Sequence, residues 1–245
     1  MKKIYGLIGF PLTHSWSQKY FEKKFHDKGL SKNTYKLFPL SDISDLPSLV
    51  ESIPGLCGLN VTIPYKEAVI PYLHSIDSKA REIGAINTIV IEHPNGKRNL
   101  KGFNTDAEGF TLSSDFSNHS NALVLGTGGA SNAICYSLRQ LGIEPKRVSR
   151  SPLQSEVLCY EDLDQAIMNQ HTLIVNTTPL GMSPNESTYP PIPYHLITSN
   201  HFLYDLVYNP LKTIFLQKGS EQGAMTQAGL QMLYHQADLA FEILI

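Results

Sequence analysis

Short apolar runs bounded by glycine, proline, asparagine and serine alternate along this chain with segments whose apolar residues recur every three or four positions. That alternation predicts an α/β protein with parallel strands, because short apolar runs suit a sheet buried on both faces and the longer spacing suits helices covering it. The first predicted strand is 4–9. Ser15 or Ser17 then offers an N-cap for a helix with Trp16, Tyr20, Phe21 and Phe25 on one face, stopping at Gly29. A strand at 34–38, a helix at 45–52 and a strand at 56–63 closed by Pro64 follow, then helices at 66–73 and 78–83. Strands at 86–92 and 98–103 flank Asn95-Gly96, a pair that favours a hairpin turn.

A stretch rich in Ser, Asn and Asp at 113–121 marks a domain seam, with a helix at 106–112 leading across it. Beyond it a second series is predicted: strand 122–125, helix 130–141, strand 147–149, helix 162–169, and strands 172–176 and 202–207. The tail 229–245 is an amphipathic helix with Leu230, Leu233, Ala237, Ala240 and Leu244 on one face. Periodicity leaves open which domain it packs on.

Charge and composition narrow the function classes. Across 245 residues, 20 basic side chains meet 22 acidic ones, a balance that lacks the basic surface of a non-specific nucleic-acid binder. A mean hydropathy of −0.15 and the lack of a long apolar run argue against a membrane span. The start, Met1-Lys2-Lys3 before an apolar run, has the outline of a signal peptide, but Pro11 and His14 interrupt it and it reads as a strand. Cys57, Cys135 and Cys159 are odd in number and far apart, so neither a disulfide framework nor a zinc site is expected, and a reduced cytoplasm is the expected compartment. No metal-ligand spacing occurs among the nine histidines, and no metal is expected.

Ala122-Leu123-Val124-Leu125 runs directly into Gly126-Thr127-Gly128-Gly129-Ala130 and a helical pattern. Such a turn lets backbone approach a dinucleotide pyrophosphate without Cβ atoms in the way, and the helix start offers unpaired N–H groups. A tight turn needing glycine for its geometry alone is the plainer alternative. At the end of the next strand an NAD site carries an acidic residue for the ribose hydroxyls, whereas Ser149-Arg150-Ser151 supplies a guanidinium and hydroxyls. Arg150 suits a 2′-phosphate, which favours NADP.

In the first half, small polar residues crowd the strand ends at 14–17, 60–66, 84–88 and 102–106, where open α/β sheets place ligands. Ser15 and Ser17 could hold a carboxylate or simply cap a helix. Lys66 and Asp106 read by spacing as two surface charges, or together as a proton-transfer pair. Asn60, Thr62, Asn87 and Asn104 have the alternative of capping turns.

Taken in order, these segments resemble the shikimate dehydrogenase family over nearly the whole chain. Residues 9–17 are similar to its G-x-P-x-x-H-S-x-S opening, 60–66 to N-V-T-x-P-x-K, 84–88 to G-A-x-N-T and 102–109 to G-x-N-T-D-x-x-G. The glycine turn, Asn176 to Met182, Asp205 to Thr213, and Gly229 to Leu233 with Gln236-Ala237 continue the series. The resemblance implies NADPH-dependent, reversible reduction of 3-dehydroshikimate to shikimate in aromatic amino-acid biosynthesis, by a monomer or homodimer without nucleic-acid or membrane partners. It implies two α/β domains around a cleft: a substrate-binding domain at 1–105, to which 226–245 returns, and a Rossmann-like NADP-binding domain at 106–225. Lys66 would give and take the proton with Asp106 as its partner. Ser15 and Ser17 would hold the substrate carboxylate, and Thr62, Asn87, Asp106 and Gln236 the ring hydroxyls, with Tyr208 nearby and Asn60 and Asn104 shaping the pocket. The cofactor would meet Gly126, Thr127, Gly128, Gly129, Ala130, Ser149, Arg150, Ser151, Thr177, Leu206 and Gly229.

Three departures stand out. Gln18 replaces a usual proline, Ser149-Arg150-Ser151 replaces Asn-Arg-Thr, and Gln154 stands where a second basic residue is often found, so NADP preference is expected to rest mainly on Arg150. A quinate-oxidising paralogue that accepts NAD is the nearest alternative activity, and a non-catalytic NADP-binding module the alternative of another class.

Overall fold

The computed structural model describes residues 2–12, 16–93, 96–151 and 156–245. They form two compact units, Met1–Thr105 with Ala237–Ile245, and Asp106–Gln236.

The first unit is a sheet of β1 (Lys3–Gly9), β2 (Asn33–Pro39), β3 (Leu56–Val61), β4 (Ser75–Ile76), β5 (Thr88–Glu92) and β6 (Asn99–Phe103), in the order β2-β1-β3-β5-β6-β4. Helices α1 (Trp16–Asp27), α2 (Leu46–Ser52), α3 (Tyr65–Ala68) and α4 (Ser78–Ile83) accompany it. Alternation along the strands builds two cores: Tyr5 and Leu7 pack with Phe21, Phe25 and Tyr35, while Ile8 packs with Leu59, Val61 and Ile89 on the other face. The expected parallel arrangement holds for β1, β2 and β3 and departs at β5, which runs antiparallel to β3, while β5 and β6 pair antiparallel as the hairpin expected there. The link from β5 to β6 is too short for a crossover, so the two pair as a hairpin with Glu92 opposite Asn99. Its Pro94 and Asn95 lie outside the described residues.

In the second unit α5 (Asp106–Thr111) leads to β7 (Asn121–Leu125), α6 (Gly129–Gln140), β8 (Glu144–Val148), α7 (Gln165–Gln170), β9 (Leu173–Asn176), β10 (Phe202–Asp205), α8 (Ile214–Glu221), β11 (Met225–Ala228) and α9 (Leu230–Leu244). Its sheet is wholly parallel in the order β11-β10-β9-β7-β8. Alternate residues again feed two cores: Ala122, Val124, Val175 and Tyr204 one, Leu123, Leu125, Ile174 and Leu203 the other.

Several elements differ from expectation. The helix expected at 66–73 is α3 followed by a separate 3-10 turn at Ile70–Tyr72, because Pro71 has no N–H to continue an α-helix. The helix expected at 162–169 is a 3-10 turn at Tyr160–Asp162 and then α7, which the Asp164 side chain restarts by accepting from the Ile167 N–H. The strand expected at 147–149 begins earlier, since Pro145 is tolerated on the edge strand β8. The strand expected through 207 stops at Asp205, whose carboxylate takes the Val207 N–H out of the ladder. Neither α8 nor β11 was expected. Residues 226–236, expected with the first domain, belong to the second unit, because β11 pairs with β10 and Met232 joins its core. Further along α9, Ala237, Ala240, Phe241 and Leu244 belong to the first unit's core.

Candidate functional site

At the carboxyl end of β3 the chain turns sharply into α3. The Tyr65 N–H donates to the Thr62 carbonyl at 2.9 Å, and its buried hydroxyl donates to the Leu40 carbonyl at 2.7 Å. Lys66 follows, half-buried, with its own carbonyl accepting the Ile86 N–H at 2.7 Å. Its backbone is thereby clamped beside the 84–88 segment, 20 residues away in sequence.

Asn87 in that segment is 3% exposed. Its amide oxygen accepts from the Thr105 N–H at 2.9 Å and the Thr88 hydroxyl at 3.1 Å, while its amide nitrogen donates to the Thr105 hydroxyl at 2.8 Å. Asn60 accepts from the Tyr35 hydroxyl at 2.8 Å and donates to the Thr88 hydroxyl at 3.2 Å and the Asn87 carbonyl at 3.4 Å. Burial holds the Tyr35 phenol well above its ordinary range, so it serves as a donor. Both ends of the Asn60 amide are therefore spent inside the sheet. Asn104 likewise donates to the Ala85 carbonyl at 2.9 Å. Thr62 is half-buried, as is Ser17 in the first turn of α1. Ser15 lies outside the described residues.

Asp106, the next residue after Thr105, opens α5 and is buried. One turn on, Gly109 meets α9: a Cβ there would lie 2.8 Å from both the backbone nitrogen and the Cβ of Gln236. The last glycine of the 102–109 motif thus lets α9 approach α5 backbone to backbone, which sets where Gln236 stands. Gly109→Ala is expected to cost about 1–3 kcal/mol through forced separation of the two helices, read as a lower urea midpoint; an unchanged midpoint would show that the helices yield freely.

The second unit's sheet reverses direction of growth at β7, with β8 on one side and β9 on the other. Such a switch point opens a crevice at the carboxyl ends of the strands. The last residues of the five strands are register partners: Val148 pairs with Leu125, Leu125 with Asn176, Asn176 with Asp205, and Asp205 with Ala228. The residues just beyond them are Ser149, Gly126, Thr177, Leu206 and Gly229. Five residues singled out from sequence therefore line up in sheet order along one edge, about 19 Å from the first strand to the last.

Gly126 has φ +115° and a Cβ on it would lie 2.7 Å from the Thr177 hydroxyl, which donates to the Leu125 carbonyl at 2.7 Å. Gly128 is the N-cap of α6, makes no side-chain cap, and a Cβ there would meet nothing within 4 Å. The N–H groups of Gly129, Ala130 and Ser131 thus begin the helix beside open space, which fits a pyrophosphate. Thr127, Arg150 and Ser151 are exposed and Ser149 half-buried. Gln154 lies outside the described residues. Leu206 donates its N–H to the Asn176 carbonyl at 2.9 Å, and Tyr208 sits exposed in the loop that follows.

Under this ledge lies a group that sequence reasoning did not single out. The Asp205 carboxylate, fully buried, accepts from the Asn176 amide at 2.9 Å, the Thr213 hydroxyl at 2.6 Å and the Val207 N–H at 3.0 Å. Asn176 in turn accepts from the N–H and hydroxyl of Thr178. The loops after β9 and β10 and the start of α8 are tied at one carboxylate; the only hint was that Asn176 and Asp205 open the two later motifs.

Among the described residues no group of three or more His, Cys, Asp or Glu side chains is placed to hold a metal ion, and no helix is long and apolar enough to cross a membrane.

Residues 7–89 match the shikimate dehydrogenase substrate binding domain. A shikimate dehydrogenase (NADP(+)) of Carboxydothermus hydrogenoformans is 39% identical, with 98% of this chain and 90% of that protein aligned. One from Methanococcus maripaludis is 36% identical over the same shares. Among solved structures, shikimate 5-dehydrogenase of Thermus thermophilus in complex with NADP(H) and shikimate superposes with a TM-score of 0.84 at 30% identity, covering 98% of this chain and 92% of that one.

Proposed function

This chain belongs to the shikimate dehydrogenase family, and we propose on that footing that it interconverts 3-dehydroshikimate and shikimate with NADP(H). The observation that carries the cofactor side is the row of first residues beyond β8, β7, β9, β10 and β11, with the glycine turn at its switch point. Those residues would hold NADP(H), which would provide the hydride for reduction and take it up in the oxidative direction.

The chain's own residues supply the rest. As hydride arrives, negative charge gathers on the carbonyl oxygen; the Lys66 ammonium stabilises it and then donates a proton, and in the oxidative direction the Lys66 amine takes that proton back. Asp106 is the partner that orients Lys66. Its neighbour Thr105 is held by Asn87, and Lys66 is clamped to the same segment through Ile86. Asn87, with one amide hydrogen remaining, joins Thr62, Asp106 and Gln236 in holding ring hydroxyls, with Tyr208 alongside. Ser15 and Ser17 hold the carboxylate. Asn60 acts as a prop that fixes Thr88 and Asn87. Residues 1–105 form the substrate-binding part and the second unit the NADP-binding part. The protein works as a monomer or homodimer in a reduced cytoplasm, and its three cysteines are free.

The test follows the near-ultraviolet absorbance of reduced nicotinamide with shikimate or quinate and NADP or NAD. Reduction of NADP with shikimate alone is the expected result. Comparable rates with quinate and NAD would instead mark a quinate-oxidising paralogue, and no reduction by folded protein a non-catalytic NADP-binding module. Gly128→Val is expected to raise the KM for NADP by about tenfold or more, because its side chain fills the open space beside the α6 N–H groups. An unchanged KM would move the pyrophosphate elsewhere.

A further inference from the structure

The residues after the glycine turn raise a problem of charge. A 2′-phosphate carries about −1.5 to −2 at neutral pH, and Arg150 is exposed, where solvent screening weakens its attraction. A second guanidinium stands close by. Arg147 lies next to the end of edge strand β8, and Val148 beside it faces the opposite core. Its side chain runs along α6: Nε donates to Cys135 Sγ at 3.3 Å and Nη2 donates to Asn132 Oδ1 at 2.7 Å.

Asn132 lies three residues closer to the start of α6 than Cys135, about 4.5 Å along the axis. The guanidinium therefore points up the helix, from the body of the sheet toward the Gly126–Gly128 turn and the carboxyl ends of β7 and β8. Among the described residues no carboxylate pairs with it. It is a half-buried, side-chain-anchored cation with a neutral partner, aimed at the ledge where the adenosine end of a dinucleotide would rest.

We propose that Arg147, held in place by Asn132, is a specificity-determining residue that supplies the second positive charge for the 2′-phosphate of NADP(H). The inference rests on the cofactor assignment above. It accounts for how the chain can prefer NADP with glutamine at position 154. Because Asn132 already fixes the guanidinium, less side-chain freedom is lost when the phosphate arrives.

Two readouts test it. The first is the ratio of kcat/KM for NADP over NAD with shikimate; the second is calorimetric titration of the protein alone with adenosine 2′,5′-bisphosphate and with adenosine 5′-monophosphate. Arg147→Gln is expected to lower the ratio by about tenfold and to weaken the bisphosphate relative to the monophosphate by a similar factor. Arg147→Lys should retain part of both, having charge without the fork. Asn132→Ala, which keeps the arginine but frees it, should fall in the same direction by less and serves if Arg147→Gln does not fold. A role confined to propping α6 would change both cofactors alike and leave the ratio and the relative affinity unmoved, which overturns the proposal. If the wild-type chain fails to oxidise shikimate with either cofactor, the activity assignment falls, while the titration still decides Arg147.

Discussion

Turnover of a Lys66→Ala variant is expected to fall about 10²- to 10⁴-fold, the usual contribution of a positioned proton donor, while the KM for shikimate changes only a few-fold. The ammonium acts on charge that exists only as hydride transfers, so its loss falls on the chemical step rather than on binding. The clamp from Ile86 to the Lys66 carbonyl is made by backbone and survives the substitution, so the fold around α3 should persist. Steady-state kinetics with shikimate and NADP over a range of pH separates the two parameters. Near-normal turnover would remove Lys66 from the proton step.

The second large effect concerns stability. Asp205→Ala should lower the unfolding free energy by about 3 kcal/mol at neutral pH. Three buried donors, from Asn176, Val207 and Thr213, lose their acceptor at a cost of about 1–3 kcal/mol each, offset in part by removal of a buried charge. Burial pushes the Asp205 carboxyl up from 3.8 to about 6, against the three hydrogen bonds that favour its ionised form. The folded state thus keeps a proton that the unfolded chain has released. Its stabilising contribution is complete below about pH 4 and is lost as pH rises to about 6, by on the order of 3 kcal/mol. Asp205→Asn has no such titration. Urea unfolding of both proteins across that window should show their stability difference shifting by this amount and then staying constant; a flat difference would assign the pH dependence to other groups.

Much of the architecture was legible because its signals are local. The strand at 4–9, the helix at 78–83 and the glycine turn after 122–125 carry their own periodicity, caps and breakers, and each appears where those signals put it. Other elements lacked such signals. Met225–Ala228 has no apolar alternation and is a strand only because β10 offers it an unpaired edge. The helix at Ile214–Glu221 carries Gly219 in its interior, which propensity counts against; the Thr213 cap and the packing of Gly219 against Leu203 override it.

The candidate site divides along the same line. Residue types at strand ends marked Thr62, Asn87, Asp106 and the glycine turn without any structure, and the order of eight motifs carried the family resemblance. Spacing alone leaves Asn60 and Asn87 alike as turn caps, and only the family resemblance separates them; in the fold the Asn60 amide is consumed by Tyr35 on β2 and by Thr88 and Asn87 at the start of β5, partners from distant segments that strand order brings beside it. Arg147 falls within the strand expected at 147–149, and nothing in that segment tells that its guanidinium lies along α6 against Cys135 and Asn132.

Composition, period and motif order by themselves determined that this is an α/β protein with a glycine turn between a strand and a helix and small polar residues at the strand ends of its first half, since each of those depends on residues near one another in the chain. Only the tertiary structure decided that Ser149, Gly126, Thr177, Leu206 and Gly229 share one edge, that Asp205 knots the loops beneath it, and which amides are already spent. Those facts depend on strand order and register, which are set by pairing between segments as far apart as Ala122 and Leu173 and leave no mark on any single stretch of sequence.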